Sequence, residues 1–201
     1  MISHINQSDT IIIVIHEIYG INDNINKVCQ SLSEQGYDVI CPNLIEREKS
    51  FQYHEEELAY RHFMDHVGFA KGVAKINSLL LDLKDTDKKI FIVGYSIGAT
   101  IAWICGREKN VSGVACFYGS RIRDYRNTIP KCPSILFFPH TEPSFHVEEL
   151  ISKLKQHQSI EIHRYEGLHG FSDSFSSRYN EQSAKESFSR LIDFVERNRN
   201  K

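Results

Sequence analysis

The sequence predicts an α/β fold, a mostly parallel sheet with helices on both faces. Three observations carry this. Short β-branched runs alternate with longer helical patterns along the chain, as parallel strands joined by crossover helices require. The run Thr10–His16 (TIIIVIH) is continuously apolar, which suits a strand covered on both faces rather than one with a wet side. No internal repeat, low-complexity tract or Gly/Ser linker breaks the pattern, so the 201 residues read as one domain, 1–201.

After the first strand, residues 22–35 place Ile25, Val28, Cys29 and Leu32 on one helical face. Asn22 or Asp23 can cap its start, and Gly36 stands where a helix end favours positive φ. Asp38–Cys41 reads as a short strand ended by Pro42. Residues 54–84 read as helical, with a break expected at Gly68 and Gly72. Lys89–Val93 (KIFIV) is the next strand, and a helix pattern at 97–106 follows it directly. Gly113–Tyr118 and Ser134–Phe138 read as buried strands, and Ile160–Tyr165 as an edge strand. In the last helix Ala184, Phe188, Leu191, Ile192 and Val195 form one apolar stripe opposite Lys185, Glu186, Arg190 and Glu196.

Composition excludes several classes. Hydrophobic residues make up 41% and charged residues 25% of the chain, the balance of an ordinary globular protein. The formal net charge is −2, with 24 basic and 26 acidic residues interspersed. No basic stripe is present, which argues against a nucleic-acid partner. No apolar run approaches the roughly 20 residues that span a bilayer, so no membrane partner is expected. Residues 1–10 lack the charged and apolar regions of a signal peptide. Five widely spaced cysteines without a Cys-x-x-Cys pair read as reduced thiols in a cytoplasmic protein.

Gly94-Tyr95-Ser96-Ile97-Gly98 is a G-x-S-x-G sequence set between the KIFIV strand and a helix. Such a strand-to-helix elbow lifts the serine hydroxyl out of the sheet and aims the helix N-terminus at the reacting carbonyl. The Ile97 N–H is then placed to donate to an oxyanion. A serine nucleophile needs a base, and on this fold the histidine comes last in chain order. His169 fits: it lies in Gly167-Leu168-His169-Gly170-Phe171, just after the Ile160–Tyr165 strand. The loop after the first strand, His16-Glu17-Ile18-Tyr19-Gly20, supplies the second oxyanion donor in such folds, the Ile18 N–H here. The other histidines, including His140, His146 and His163, suggest no metal site by their spacing.

In order and spacing, the HEIYGIND, GYSIG and YEGLHGF segments resemble the dienelactone hydrolase family, from about Thr10 to Val195. The resemblance implies an α/β-hydrolase fold, and 201 residues leave little room for a cap domain. It matches Glu17 to an active-site glutamate, Ile18 to the oxyanion donor, and Ser96 and His169 to the nucleophile and the catalytic histidine. Three positions depart from the family. Ser96 stands where the founding enzyme has cysteine. Asp173 stands four residues after the histidine, where that enzyme binds substrate through an arginine, which implies weak recognition of a dienelactone carboxylate. The family's aspartate acid is missing from Pro139-His140-Thr141-Glu142-Pro143, where Glu142 is the nearest carboxylate. Asp124, after the GVACFY strand, is the rival for that place.

The expected activity is hydrolysis of a small ester or lactone through an acyl-enzyme on Ser96, without metal or organic cofactor. The rival readings are a thioesterase or peptidase on the same fold, or a ligand-binding protein that has lost catalysis. Arg121 and Arg123 fall near the expected mouth, where they could recognise an anion.

Overall fold

A computed structural model describes residues 1–143 and 145–200; Ser144 and Lys201 lie outside them. The strands are β1 (Ile2–His4), β2 (Thr10–Ile15), β3 (Asp38–Cys41), β4 (Lys89–Tyr95), β5 (Gly113–Phe117), β6 (Ser134–Pro139) and β7 (Ile160–Tyr165). They form one sheet in the order β1-β3-β2-β4-β5-β6-β7. All neighbours pair in parallel except β1, which runs antiparallel to β3. The carboxyl ends of the parallel strands therefore share one edge, the edge at which ligands bind in open α/β sheets.

The helices are α1 (Asp23–Glu34), α2 (Glu56–His62), α3 (Gly68–Asp82), α4 (Ile97–Cys105), α5 (Val147–Leu154) and α6 (Glu181–Arg199). Strand β2 shows why its sequence does not alternate. Ile11, Ile13 and Ile15 belong to one apolar cluster, with Ile76 and Leu80 of α3, Ile101 of α4 and Leu150 of α5. Ile12 and Val14 belong to the other, with Ile25 and Leu32 of α1 and Leu191 and Val195 of α6. Each such fully buried side chain contributes about 1.5–3 kcal/mol, and a strand between two helical layers gains this on both faces.

Residues 54–84 do not form one helix. The chain passes through a π-turn at Phe63–Val67 and restarts as α3 at Gly68, whose φ of 61° a side chain would oppose. Asn22 caps α1 by accepting from the Ile25 N–H at 3.0 Å. Strand β1, only three residues long, has no counterpart in the sequence reading. It is secured by Asp38, whose carboxylate accepts from the Asn6 and Ser8 N–H groups and pairs with Lys88 at 2.6 Å.

The apolar stripe of α6 is only partly in the core. Leu191 and Val195 are buried together with Phe194, whereas Ala184, Phe188 and Ile192 remain half-buried. Among the described residues no helix is long and apolar enough to cross a membrane. No cap domain stands over the carboxyl edge among the described residues.

Candidate active site

Between Tyr95, which ends β4, and Ile97, which begins α4, Ser96 is the entire turn. Its φ of 54° and ψ of −113° are strained for a side chain. The Ser96 N–H donates to the Phe117 carbonyl at 3.0 Å and helps hold that geometry. Both glycines of the motif are demanded by contact. A Cβ on Gly94 would meet the Gly98 carbonyl oxygen at 2.2 Å, and one on Gly98 would meet the Ile15 oxygen at 2.3 Å. The elbow can close on β2 only if neither position carries a side chain.

His169 reaches the elbow from the loop beyond β7, where Gly167 and Gly170 take φ of 119° and 90°. Its Nε2 lies 2.9 Å from Ser96 Oγ. Its Nδ1 lies 2.7 Å from Glu142 Oε2, on the loop after β6. The Glu142 side chain is 6% exposed. Of the two carboxylates that the sequence leaves open, Glu142 lies against the imidazole. Asp124 instead sits in the 3-10 turn Ser120–Tyr125 and pairs with Arg121 Nε at 2.5 Å.

The loop after β2 carries two buried ionisable residues. The His16 ring donates from Nδ1 to the Glu17 carbonyl at 2.6 Å and accepts at Nε2 from the Leu44 N–H at 2.9 Å. Burial pushes this imidazole down to about 4, so it is neutral and fixes the loop by two bonds. The Glu17 carboxylate accepts from the Tyr118 hydroxyl at 2.8 Å, and Ser172 Oγ lies 3.1 Å from the same hydroxyl. Burial, reinforced by the charge of Asp173, pushes the Glu17 carboxyl up to about 7; His169, Tyr118 and Arg178 act the other way. Ile18 and Ile97 have backbone N–H groups without an acceptor among the described residues.

Glu17, Ile18, Ser96, Ile97, Glu142 and His169 all line one cavity of about 780 Å³. Its mouth carries Tyr60, Leu168 and Phe175, all exposed, and its wall carries Arg121, Arg123 and Arg178. Asp173 does not confront this space as the resemblance implies. It is 1% exposed and accepts from the Tyr53 hydroxyl at 2.6 Å and the Phe175 N–H at 2.9 Å. Burial pushes its carboxyl above the usual range, while those bonds hold it down. Tyr118 and Arg178 are site residues that the sequence reading passed over. Tyr118 reads as one more apolar residue ending a strand, and nothing in the local sequence marks Arg178. Among the described residues no cluster of three or more His, Cys, Asp or Glu could hold a metal ion.

A serine elbow at the carboxyl end of a central parallel strand, faced by a histidine from the last loop, defines an α/β-hydrolase. Within that class the chain belongs to the dienelactone hydrolase family, whose profile matches residues 3–198. It is 42% identical to YczH of Bacillus subtilis over 85% of this chain and 84% of that protein. It is also 22% identical to the carboxymethylenebutenolidase of Pseudomonas putida, over 92% of this chain and 84% of that enzyme. A dienelactone hydrolase-like promiscuous phosphotriesterase, P91, from metagenomic libraries superposes with a TM-score of 0.74 at 12% identity, covering 94% of this chain and 86% of that one. Family membership makes the chain a carboxylic-ester hydrolase of the dienelactone hydrolase type.

Proposed function

We propose that this chain, acting as one domain, hydrolyses small esters or lactones through a covalent acyl-serine at Ser96. The observation that carries the reading is the line Ser96 Oγ, His169, Glu142, with steps of 2.9 and 2.7 Å. Ser96 attacks the carbonyl carbon as its proton passes to His169 Nε2. Glu142 holds the Nδ1 proton in place and offsets the charge of the imidazolium that forms. The N–H groups of Ile18 and Ile97 receive the developing oxyanion. His169 then returns the proton to the leaving alcohol oxygen; in a lactone this alcohol stays tethered to the acyl group. Water, deprotonated by His169, releases the acid.

Glu17, tied by Tyr118, positions the loop that presents Ile18. The open cavity suits small or exposed substrates, and its aromatic rim suits an apolar acyl or alcohol group. Five free, buried thiols suit a reducing compartment, which supports a cytoplasmic location.

Turnover of p-nitrophenyl acetate and δ-valerolactone, together with covalent labelling by a fluorophosphonate, tests the reading. We expect turnover of both substrates and a single label on Ser96. A folded protein that takes no label and turns over neither substrate nor a thioester would leave a ligand-binding protein in place of an enzyme.

A further inference from the structure

A second cavity, of about 540 Å³, lies between α1 and α6 on the other side of the sheet from α3 and α4. That volume is within the range of small-molecule sites. The half-buried stripe of α6 accounts for it: Phe188 and Ile192 pack on the core with one side and, with Ala184, line this cavity with the other, opposite Val28 of α1. Tyr95 and Phe117, at the carboxyl ends of β4 and β5, form its floor.

One end of the cavity carries a cation, Lys27 of α1. Asn24 is a buried neighbour of this end, but its unpartnered amide nitrogen is sealed from the cavity. One turn away, Lys27 has no carboxylate within ion-pair distance among the described residues; its ammonium donates to Ser174 Oγ at 3.0 Å and lies 5.9 Å from the Phe175 ring centroid. The one acidic lining residue is at the other end. Tyr37, just past the end of α1, donates to Glu196 of α6 at 2.5 Å, so the two helices run in the same direction. Asp193, one turn from Glu196, therefore stands far from Lys27 along the groove. The remaining lysine, Lys185, is engaged by Glu181 at 2.7 Å.

The two cavities are separated by a single stretch of chain. Ser172 and Ser174 line the second cavity, Phe175 lines the catalytic one, and Asp173 between them is buried against Tyr53. The second cavity thus has a cation and a serine hydroxyl at one end and an apolar body of aromatic and aliphatic side chains beyond them. We propose that it is a binding site for a monocarboxylate with an aromatic or aliphatic body, whose carboxylate accepts from Lys27 while the body lies against Phe188, Tyr95 and Ile192.

Calorimetric titration with sodium 4-phenylbutyrate, and with uncharged 4-phenylbutanol, tests the site without reference to turnover. We expect the acid to bind the wild-type chain and the alcohol to bind at least about tenfold more weakly, the loss of one charge-assisted hydrogen bond. Lys27→Gln, a surface change, should weaken the acid by a similar factor, and Phe188→Trp should remove binding by filling the cavity. Arg178→Gln, in the catalytic cavity, should leave it unchanged. Absence of binding below about 10 mM, binding that survives both Lys27→Gln and Phe188→Trp, or binding lost in Arg178→Gln overturns the proposal.

Discussion

His16 and Glu17 are consecutive buried residues whose ionisations are pushed in opposite directions. Burial holds the His16 imidazole down to about 4 from its ordinary 6.5, and pushes the Glu17 carboxyl up to about 7 from 4.5. Both residues are thus neutral over the same interval, and no charge is buried in the loop that leads to Ile18. Their effects on stability oppose each other. The unfolded chain binds more protons at His16 between pH 4 and 6.5, so that contribution is full above 6.5 and is lost as pH falls toward 4. The folded chain binds more protons at Glu17 between pH 4.5 and 7, so that contribution is full below 4.5 and is lost as pH rises through 7.

We therefore expect Glu17→Gln to gain stability relative to wild type as pH rises from 4.5 to 8, by about 3 kcal/mol in total. Below pH 4.5 the difference should be flat. Urea denaturation of both proteins at pH 4, 6 and 8 measures this directly. A stability difference independent of pH would show that Glu17 ionises in the fold as it does in water.

Gly98→Ala should fail to fold. Its Cβ would stand 2.3 Å from the Ile15 oxygen and 2.7 Å from the His16 oxygen, both of them backbone atoms that cannot rotate away. Opening that contact separates α4 from β2 along the central strands, at a cost comparable to the whole stability of a domain, about 5 kcal/mol or more. Soluble yield and thermal unfolding are the measurements. A soluble variant melting within about 3 °C of wild type would mean that the elbow relaxes freely.

Ser96→Ala and His169→Ala should each abolish nearly all esterase activity and leave the fold intact. The two groups act as a unit, so a loss of about 10⁴-fold or more in either single variant should hardly deepen in the double variant. Circular dichroism checks the fold, and single-turnover kinetics the loss. Retention of a third of wild-type turnover by either variant would contradict the assignment.

Much of this was legible because local chemistry demanded it. The doubly covered β2 shows as an unbroken apolar run, and the GYSIG glycines show because two backbones must touch there. Glu142 and His169 stand on loops at the strand ends, where chain order on this fold looks for them. What escaped depends on contacts between distant segments. Tyr118 meets Glu17 across 101 residues and Tyr53 meets Asp173 across 120. No periodicity or motif records such pairs, so Asp173 read as a group facing substrate when it is folded inward. The stripe of α6 was visible as a pattern, but the number of its residues that the sheet can cover depends on the spacing to α1.

The choice between Glu142 and Asp124 gives the sharpest test of the site. The histidine needs a carboxylate at the nitrogen away from the nucleophile, to fix the tautomer and to stabilise the imidazolium. Glu142 Oε2 is 2.7 Å from that nitrogen and its side chain is 6% exposed, so water does little to screen the interaction. Asp124 is 42% exposed and already engaged by Arg121. Glu142→Gln keeps the shape but presents either a neutral oxygen or an N–H to Nδ1, and the N–H favours the wrong tautomer. We expect it to lower kcat on an activated ester on the order of a hundredfold or more, with KM little changed. Asp124→Asn, which loosens only a partly exposed ion pair, should change kcat by less than about threefold. If the Asp124 change costs a hundredfold and the Glu142 change costs little, the acid comes from the loop after β5, and that loop must rearrange to reach His169. If neither change matters, Ser96 and His169 work as a dyad and the Glu142 contact only holds the loop.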